Sequence, residues 1–172
     1  MTDDHSLAAT ERAMRRHLAA RDLDVEAAHA VSSIFRAANA VRTHVTNEVL
    51  RPYGVTWTGF MVMWVVCTRD GIEIRHAAEA AAISKATLTG VVKTLESKGW
   101  MERRVRTHDR RLVELHLTEA GVRVVEEVYP KFNAVEAGVV RVLTSRRTRD
   151  MTKSLHDIVT GLGASRDRRE SA

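Results

Sequence analysis

Between residues 84 and 117 the spacing of apolar side chains changes period, and this constrains the fold more than any other feature of the chain. Leu88, Val91, Val92 and Leu95 follow steps of three and four, the stripe of a helix buried along one face. From Trp100 onward the pattern alternates, so residues 100–105 and 112–117 read as two strands joined by the loop 106–111, because successive side chains on a strand point to opposite faces. Ser84 is placed to cap the helix on the amide of Thr87, and Gly99 stands where a C-terminal cap belongs. Just upstream, residues 75–81 form a short alanine-rich helix. Two short helices joined by a tight turn make a helix-turn-helix, and the hairpin that follows reads as a wing.

The remaining segments are helical. Over residues 25–50, Val31, Ile34, Phe35, Ala38, Val41, Val45 and Val49 form an amphipathic stripe, which Arg51-Pro52-Tyr53-Gly54 stops. Thr56 is an N-cap for a helix over 57–69 that is apolar nearly all round and ends at Asp70-Gly71, the pattern of a core helix. Thr118 caps a long helix reaching about residue 143, with Val122, Val125, Phe132, Val135, Val139 and Val142 on one face and Pro130 as a kink. A last helix from Ser145 presents Met151, Leu155, Ile158 and Leu162, and the charged tail 164–172 is expected to be disordered. Residues 1–24 alternate charge and alanine around Leu7, Met14 and Leu18. They fit a loose arm or, preferably, an extra helix packed on the helical base.

Composition narrows the function. A chain of 172 residues with 44% hydrophobic and 28% charged residues suits one soluble domain, and no internal linker or repeat divides it. Two prolines and few aromatics favour helices. The longest apolar stretch, 60–67, falls far short of the roughly 20 residues that a membrane-spanning helix needs. The opening MTDDHSLAAT lacks the basic-then-apolar pattern of a secretory signal, and a single cysteine forms no internal disulfide, so the cytoplasm is the expected compartment. The eight histidines show no paired metal spacing, and neither a glycine-rich phosphate loop nor a nucleophile elbow occurs; no enzyme, metal or cofactor is expected. A net charge of +5 points to an anionic partner, and its distribution is informative: from Lys98 to Arg111 six Lys/Arg face two acids. Arg146, Arg147 and Arg149 form a smaller cluster that reads as solvated surface.

The stretch 83–121, ISKATLTGVVKTLESKGWMERRVRTHDRRLVELHLTEAG, resembles the recognition helix, wing and following cap of the multiple-antibiotic-resistance regulator (MarR) family. The resemblance rests on the small polar start at Ser84, the LESKGW exit, the ERR strand, Asp109 and Arg111 as an Asp-x-Arg wing motif, and LTEAG. The order of helices extends it to about 25–163. It implies a mainly α winged helix-turn-helix with a two-stranded β wing, the winged part over about 72–117 and dimerisation helices over about 25–50 and 118–163. Ala82 stands where many relatives have glycine, which a negative φ would allow, and Gly59 leaves a capping box half complete, at a cost of about 1 kcal/mol.

The same resemblance implies a homodimer on double-stranded DNA, reading a pseudo-palindromic operator with recognition helices about 34–36 Å apart. Ser84, Lys85, Thr87, Thr89 and Lys93 occupy the exposed face of the recognition helix, with Thr87 and Thr89 the choices for base contact. Arg111 is the candidate for the minor groove, oriented by Asp109, while Arg103, Arg104, Arg106 and Arg110 are expected on phosphates. A small aromatic effector is expected between dimer base and DNA-binding lobe, with Arg36, Asn39, His44, Trp57, Met61 and Trp64 as candidate lining residues. Two rival readings are a thiol redox sensor acting through Cys67, which its pKa would test, and a winged helix used for protein interaction, which a neutral wing would have favoured.

Overall fold

A computed structural model describes residues 7–21, 23–69, 71–105 and 112–170. The chain divides into two compact units, Met1–Trp57 and Thr58–Ala172.

The first unit is built from α1 (Leu7–Ala19) and α2 (Val25–Val45). Asp24 caps α2 by accepting from the Ala27 amide at 2.9 Å, which satisfies one of the amides that a helix start leaves without a partner. Of the two readings for the N-terminal segment, the structure has the extra helix. Glu11 on α1 accepts from Arg36 Nη2 at 2.9 Å and lies 3.7 Å from His29 Nε2, so α1 is held along α2. After α2 the chain makes a π-helical turn, Thr46–Leu50, and a 3-10 turn, Arg51–Tyr53. Pro52 has no amide to extend the ladder, and Gly54 ends it at φ 63°.

The second unit carries the winged core. Helix α3 (Trp57–Cys67) enters it, followed by β1 (Ile72–Glu73), α4 (Ile74–Ala80), α5 (Lys85–Ser97), β2 (Met101–Val105) and β3 (Val113–Leu117). The two-stranded wing expected from the alternating pattern gains a third strand: the antiparallel order is β1-β3-β2, with Ile72 opposite Leu115 and Met101 opposite Leu117. Val62, Met63, Leu88, Val92, Leu95, Met101, Leu115 and Val125 close one apolar core between helices and sheet. Each fully buried large side chain there stabilises by about 1.5–3 kcal/mol.

Helix α6 (Glu119–Val140) keeps Pro130 inside it and packs Phe132 on Phe60 of α3, ring centroids 4.9 Å apart. Helix α7 runs Ser145–Glu170. This corrects the expectation of a disordered tail from residue 164, because the helix continues through Glu170. The charged segment there contains strong helix formers and no proline. Among the described residues no helix is long and apolar enough to cross a membrane.

Candidate nucleic-acid interface

Helix α5 presents two chemically distinct faces. Leu88, Val92 and Leu95 are buried, whereas Ser84, Lys85, Thr87, Thr89, Gly90, Lys93 and Thr94 are exposed. Ser84 sets the helix start, accepting from the Thr87 amide at 3.0 Å and lying 2.8 Å from the Thr87 hydroxyl. Thr89 donates to the Lys85 carbonyl at 2.9 Å. A hydroxyl also carries two acceptor lone pairs, so each of these threonines keeps capacity for a base edge or phosphate. The exposed face between Ser84 and Thr94 holds two lysines, hydroxyls and a glycine, and no acid.

The turn that sets α5 against α4 differs from expectation. Ala82 lies at φ 51°, not at the negative angle anticipated for a small residue in place of glycine. Two hydrogen bonds impose it: the Ile83 amide reaches the Ala78 carbonyl and the Ala82 amide reaches that of Glu79, both at 3.0 Å. This is a Schellman closure, in which the residue after the helix cap must turn left-handed. Alanine there carries a strain of about 1–2 kcal/mol, and the hydrogen bonds together with the packing of the core offset it.

At its other end α5 closes with Gly99 at φ 69°, the Trp100 amide reaching the Leu95 carbonyl at 3.0 Å. Thr118 then ties α6 to this exit. Its hydroxyl donates to the Gly99 carbonyl at 2.6 Å and accepts from the Gly121 amide at 3.1 Å, while its own amide donates to the Trp100 carbonyl at 3.2 Å. A Cβ at position 121 would overlap that same Trp100 carbonyl. The LTEAG segment is thus a joint: threonine caps the helix and grips the exit of α5, and glycine lets the backbones touch.

At the base of the wing, the expected phosphate ligands already have partners. Arg103 Nη2 lies 3.3 Å from Glu96 and Arg104 Nε donates to Glu102 at 2.8 Å. Both pairs are exposed enough to be weak. Arg106, Asp109, Arg110 and Arg111 lie outside the described residues. Arg75 was absent from the sequence-based candidates; it is exposed and shares with Ser84 and Lys85 a groove of about 610 Å³ at the start of α5. Its signal was its place at the opening of the first helix of the pair, which a reading of apolar period passes over.

Among the six residues proposed for an effector, Arg36, Asn39 and Trp64 show what occupies them. Arg36 holds Glu11, and Asn39 accepts from Arg42 at 2.7 Å. Trp64 stacks on Tyr129, centroids 3.8 Å apart and planes 7° from parallel. His44 is exposed, and Trp57 and Met61 are half-buried. Cys67, the residue of the redox-sensor reading, is exposed at the end of α3. Partial burial of its thiol, and secondarily the carboxylate of Glu126, push its pKa up, so the nucleophilic thiolate is disfavoured.

A helix-turn-helix with an uncharged-to-cationic outer face, followed by a hairpin, defines a winged helix-turn-helix DNA-binding protein. The MarR family sequence model matches residues 55–113. The uncharacterised HTH-type transcriptional regulator YwaE of Bacillus subtilis is 33% identical over 147 residues, 86% of this chain and 81% of its own. The transcriptional repressor MprA of Escherichia coli is 33% identical over 86 residues, 49% of each chain. Among solved structures, Bordetella bronchiseptica BpsR, described for the regulation of its DNA binding by 6-hydroxynicotinic acid, superposes with a TM-score of 0.69 at 20% identity over 74% of this chain and 91% of that one. The chain belongs to the MarR family of transcriptional regulators.

Proposed function

We propose that the protein is a dimeric repressor that binds a pseudo-palindromic operator and is released from it by a small aromatic or phenolic ligand. The outer face of α5 carries this reading: an exposed, acid-free row of Ser84, Lys85, Thr87, Thr89 and Lys93 on a helix whose opposite face is locked into the core. Such a helix enters the major groove without repelling phosphate. Arg111, oriented by Asp109, takes the minor groove, and Arg106 and Arg110 add phosphate contacts. Arg103 and Arg104 join them by exchanging Glu96 and Glu102 for phosphate. Dimerisation is supported by apolar side chains left in solvent, among them Phe35 in the first unit and Ile158, Val159 and Leu162 on α7, which are 46–68% exposed. The similarity to the transcriptional repressor MprA supports repression, and the regulation of BpsR by 6-hydroxynicotinic acid supports control by a small aromatic acid.

Fluorescence anisotropy on DNA from upstream of the protein's own gene, against a shuffled duplex of equal length, tests the reading. The natural duplex is expected to bind at least about tenfold more tightly, and Arg111→Ala to remove most of that preference, since a good groove contact is worth about 1–3 kcal/mol. Equal, weak, salt-labile binding to both duplexes would overturn sequence-specific regulation.

A further inference from the structure

Helix α1 belongs to the first unit and none of its residues enters the apolar core of the second, yet its side chains are sorted by charge. Its one acid, Glu11, is turned toward α2, where it accepts from Arg36 Nη2 at 2.9 Å and lies 3.7 Å from His29 Nε2. Met14 and Leu18, three and seven residues further on, are half-buried on that same face. Arg12, Arg15 and Arg16 are all exposed, and steps of three and four gather them within about 100° of the opposite side. Among the described residues no carboxylate pairs with any of the three. The exposed neighbours Ala8 and Ala19 are small, so this face offers guanidiniums and no bulky apolar side chain. Like charges at this spacing repel one another, and a row of anions relieves the repulsion. We infer that the outer face of α1 is a second, sequence-independent DNA-binding surface, gripping duplex phosphates through Arg12, Arg15 and Arg16. The inference takes only DNA as the partner from the reading above and adds a contact outside the winged core.

Two other arginines of this unit show the contrast. Arg36 holds Glu11, and Arg21 closes the end of α1 by donating from Nη1 to the His17 carbonyl at 3.0 Å. Arg12, Arg15 and Arg16 carry no such bond and stand in solvent. Neighbouring side chains on a helix face are about 5–6 Å apart at Cβ, and a DNA strand presents a phosphate about every 3.4 Å along its axis, so each guanidinium reaches a phosphate oxygen and pairs with it two-pronged. A lipid surface would call for apolar side chains on the exposed face, whereas Met14 and Leu18 lie on the side that faces α2. The two helices divide the work by chemistry. On α5 hydroxyls and lysines together can meet base edges; on α1 guanidiniums alone meet phosphates, which carry no base identity. Contact by α1 therefore strengthens binding to every duplex equally and holds the protein on DNA while the preference stays with α5 and the wing.

The test is fluorescence anisotropy of the full chain on the natural and the shuffled duplex, titrated between about 50 and 200 mM salt. The variant combining Arg12→Gln, Arg15→Gln and Arg16→Gln is expected to bind both duplexes at least about tenfold more weakly at the low-salt end, by the same factor. The slope of log affinity against log salt should become shallower by about 2 or more, since each lost phosphate contact removes about 0.9. Glutamine is as good a helix former as arginine, so circular dichroism should show the helix content unchanged. The matching variant with lysine at the three positions keeps the charge and should bind like wild type, because an ammonium also pairs with phosphate. Affinity and slope unchanged in the glutamine variant overturn the inference, as does a lysine variant as weak as the glutamine one. A loss confined to the natural duplex overturns it too, since the arginines would then read sequence. If DNA binding is unchanged while binding to phosphatidylglycerol vesicles is lost, the face serves lipid and the inference falls. A wild type that does not distinguish the two duplexes sinks sequence-specific regulation but leaves this test intact, because the shuffled duplex alone reports on α1.

Discussion

The winged core and α7 treat their apolar side chains in opposite ways. Met63, Leu88 and Leu115 are fully enclosed by their own chain, whereas Met151, Leu155, Ile158, Val159 and Leu162 on α7 are 39–68% exposed. The core residues satisfy their need for burial within one copy, so the position of α5 and the wing strands is an intrachain property. The stripe on α7, at steps of four, three, one and three, is one face of a helix, and it is left exposed among the described residues. Substitutions in the first region are therefore expected to act on the stability of the protomer, and in the second on assembly.

Gly121→Ala presses that contrast hardest. The added methyl would overlap the backbone of Trp100, and backbone cannot rotate away as a side chain can, so α6 must lift from the exit of α5. A loss of about 3 kcal/mol in urea unfolding is expected, the upper range for overpacking. A loss below about 1 kcal/mol would mean that the Thr118–Gly121 joint is loose, and the winged core less self-sufficient than its burial implies.

On α7 the paired substitution Leu155→Glu with Ile158→Glu has the complementary effect. Two carboxylates on that apolar face carry a desolvation penalty when the proposed dimer buries it. Sedimentation equilibrium should show dimer association weakened on the order of 100-fold or more, and DNA affinity should fall with it. In the dissociated protein the spectroscopic signature of the folded core should persist. An intact dimer would remove α7 from the interface, while a molten core would show that the two regions are not separable.

A smaller effect tests a point at which the sequence misleads. Ala82→Gly should relieve the left-handed strain at φ 51°. The gain is partly offset by the greater freedom of glycine in the unfolded chain, leaving about 0.5–1 kcal/mol of net stabilisation by thermal or urea unfolding. No gain would mean that the neighbouring hydrogen bonds hold the turn without strain.

The legible parts of the molecule were those whose signal is local. The stripe Leu88, Val91, Val92, Leu95, the cap at Ser84 and the glycine at 99 mark α5 and its two ends within one short window, and the alternation after Trp100 marks β2 and β3. Strand β1 is two residues long and has no period to read; it forms because Ile72 pairs with Leu115, far along the chain. The sign of φ at Ala82 was hidden because it is dictated by the hydrogen-bond closure of α4 and not by the residue. The pairing of Arg103 with Glu96 joins a strand to a helix, so composition alone reads Arg103 as a free cation. Helix α7 runs past its expected end because a run of charge is no barrier to a helix when the charged residues are good helix formers.

Cys67 gives the finest test of whether the winged core senses oxidants by itself. Exposure alone would favour reactivity, but partial burial of the thiol and the nearby Glu126 raise its pKa above the usual thiol value. A raised pKa means that the folded state prefers the neutral thiol. Its contribution to stability is present below the unfolded pKa and lost as pH rises through the folded one. At pH 8 iodoacetamide should therefore alkylate the native protein more slowly than the urea-unfolded chain. Glu126→Gln should recover only part of the difference, because burial is the larger cause. A native rate equal to or above the unfolded one would place a stabilised thiolate at the end of α3 and restore the redox reading, since the thiolate is the form that attacks peroxide.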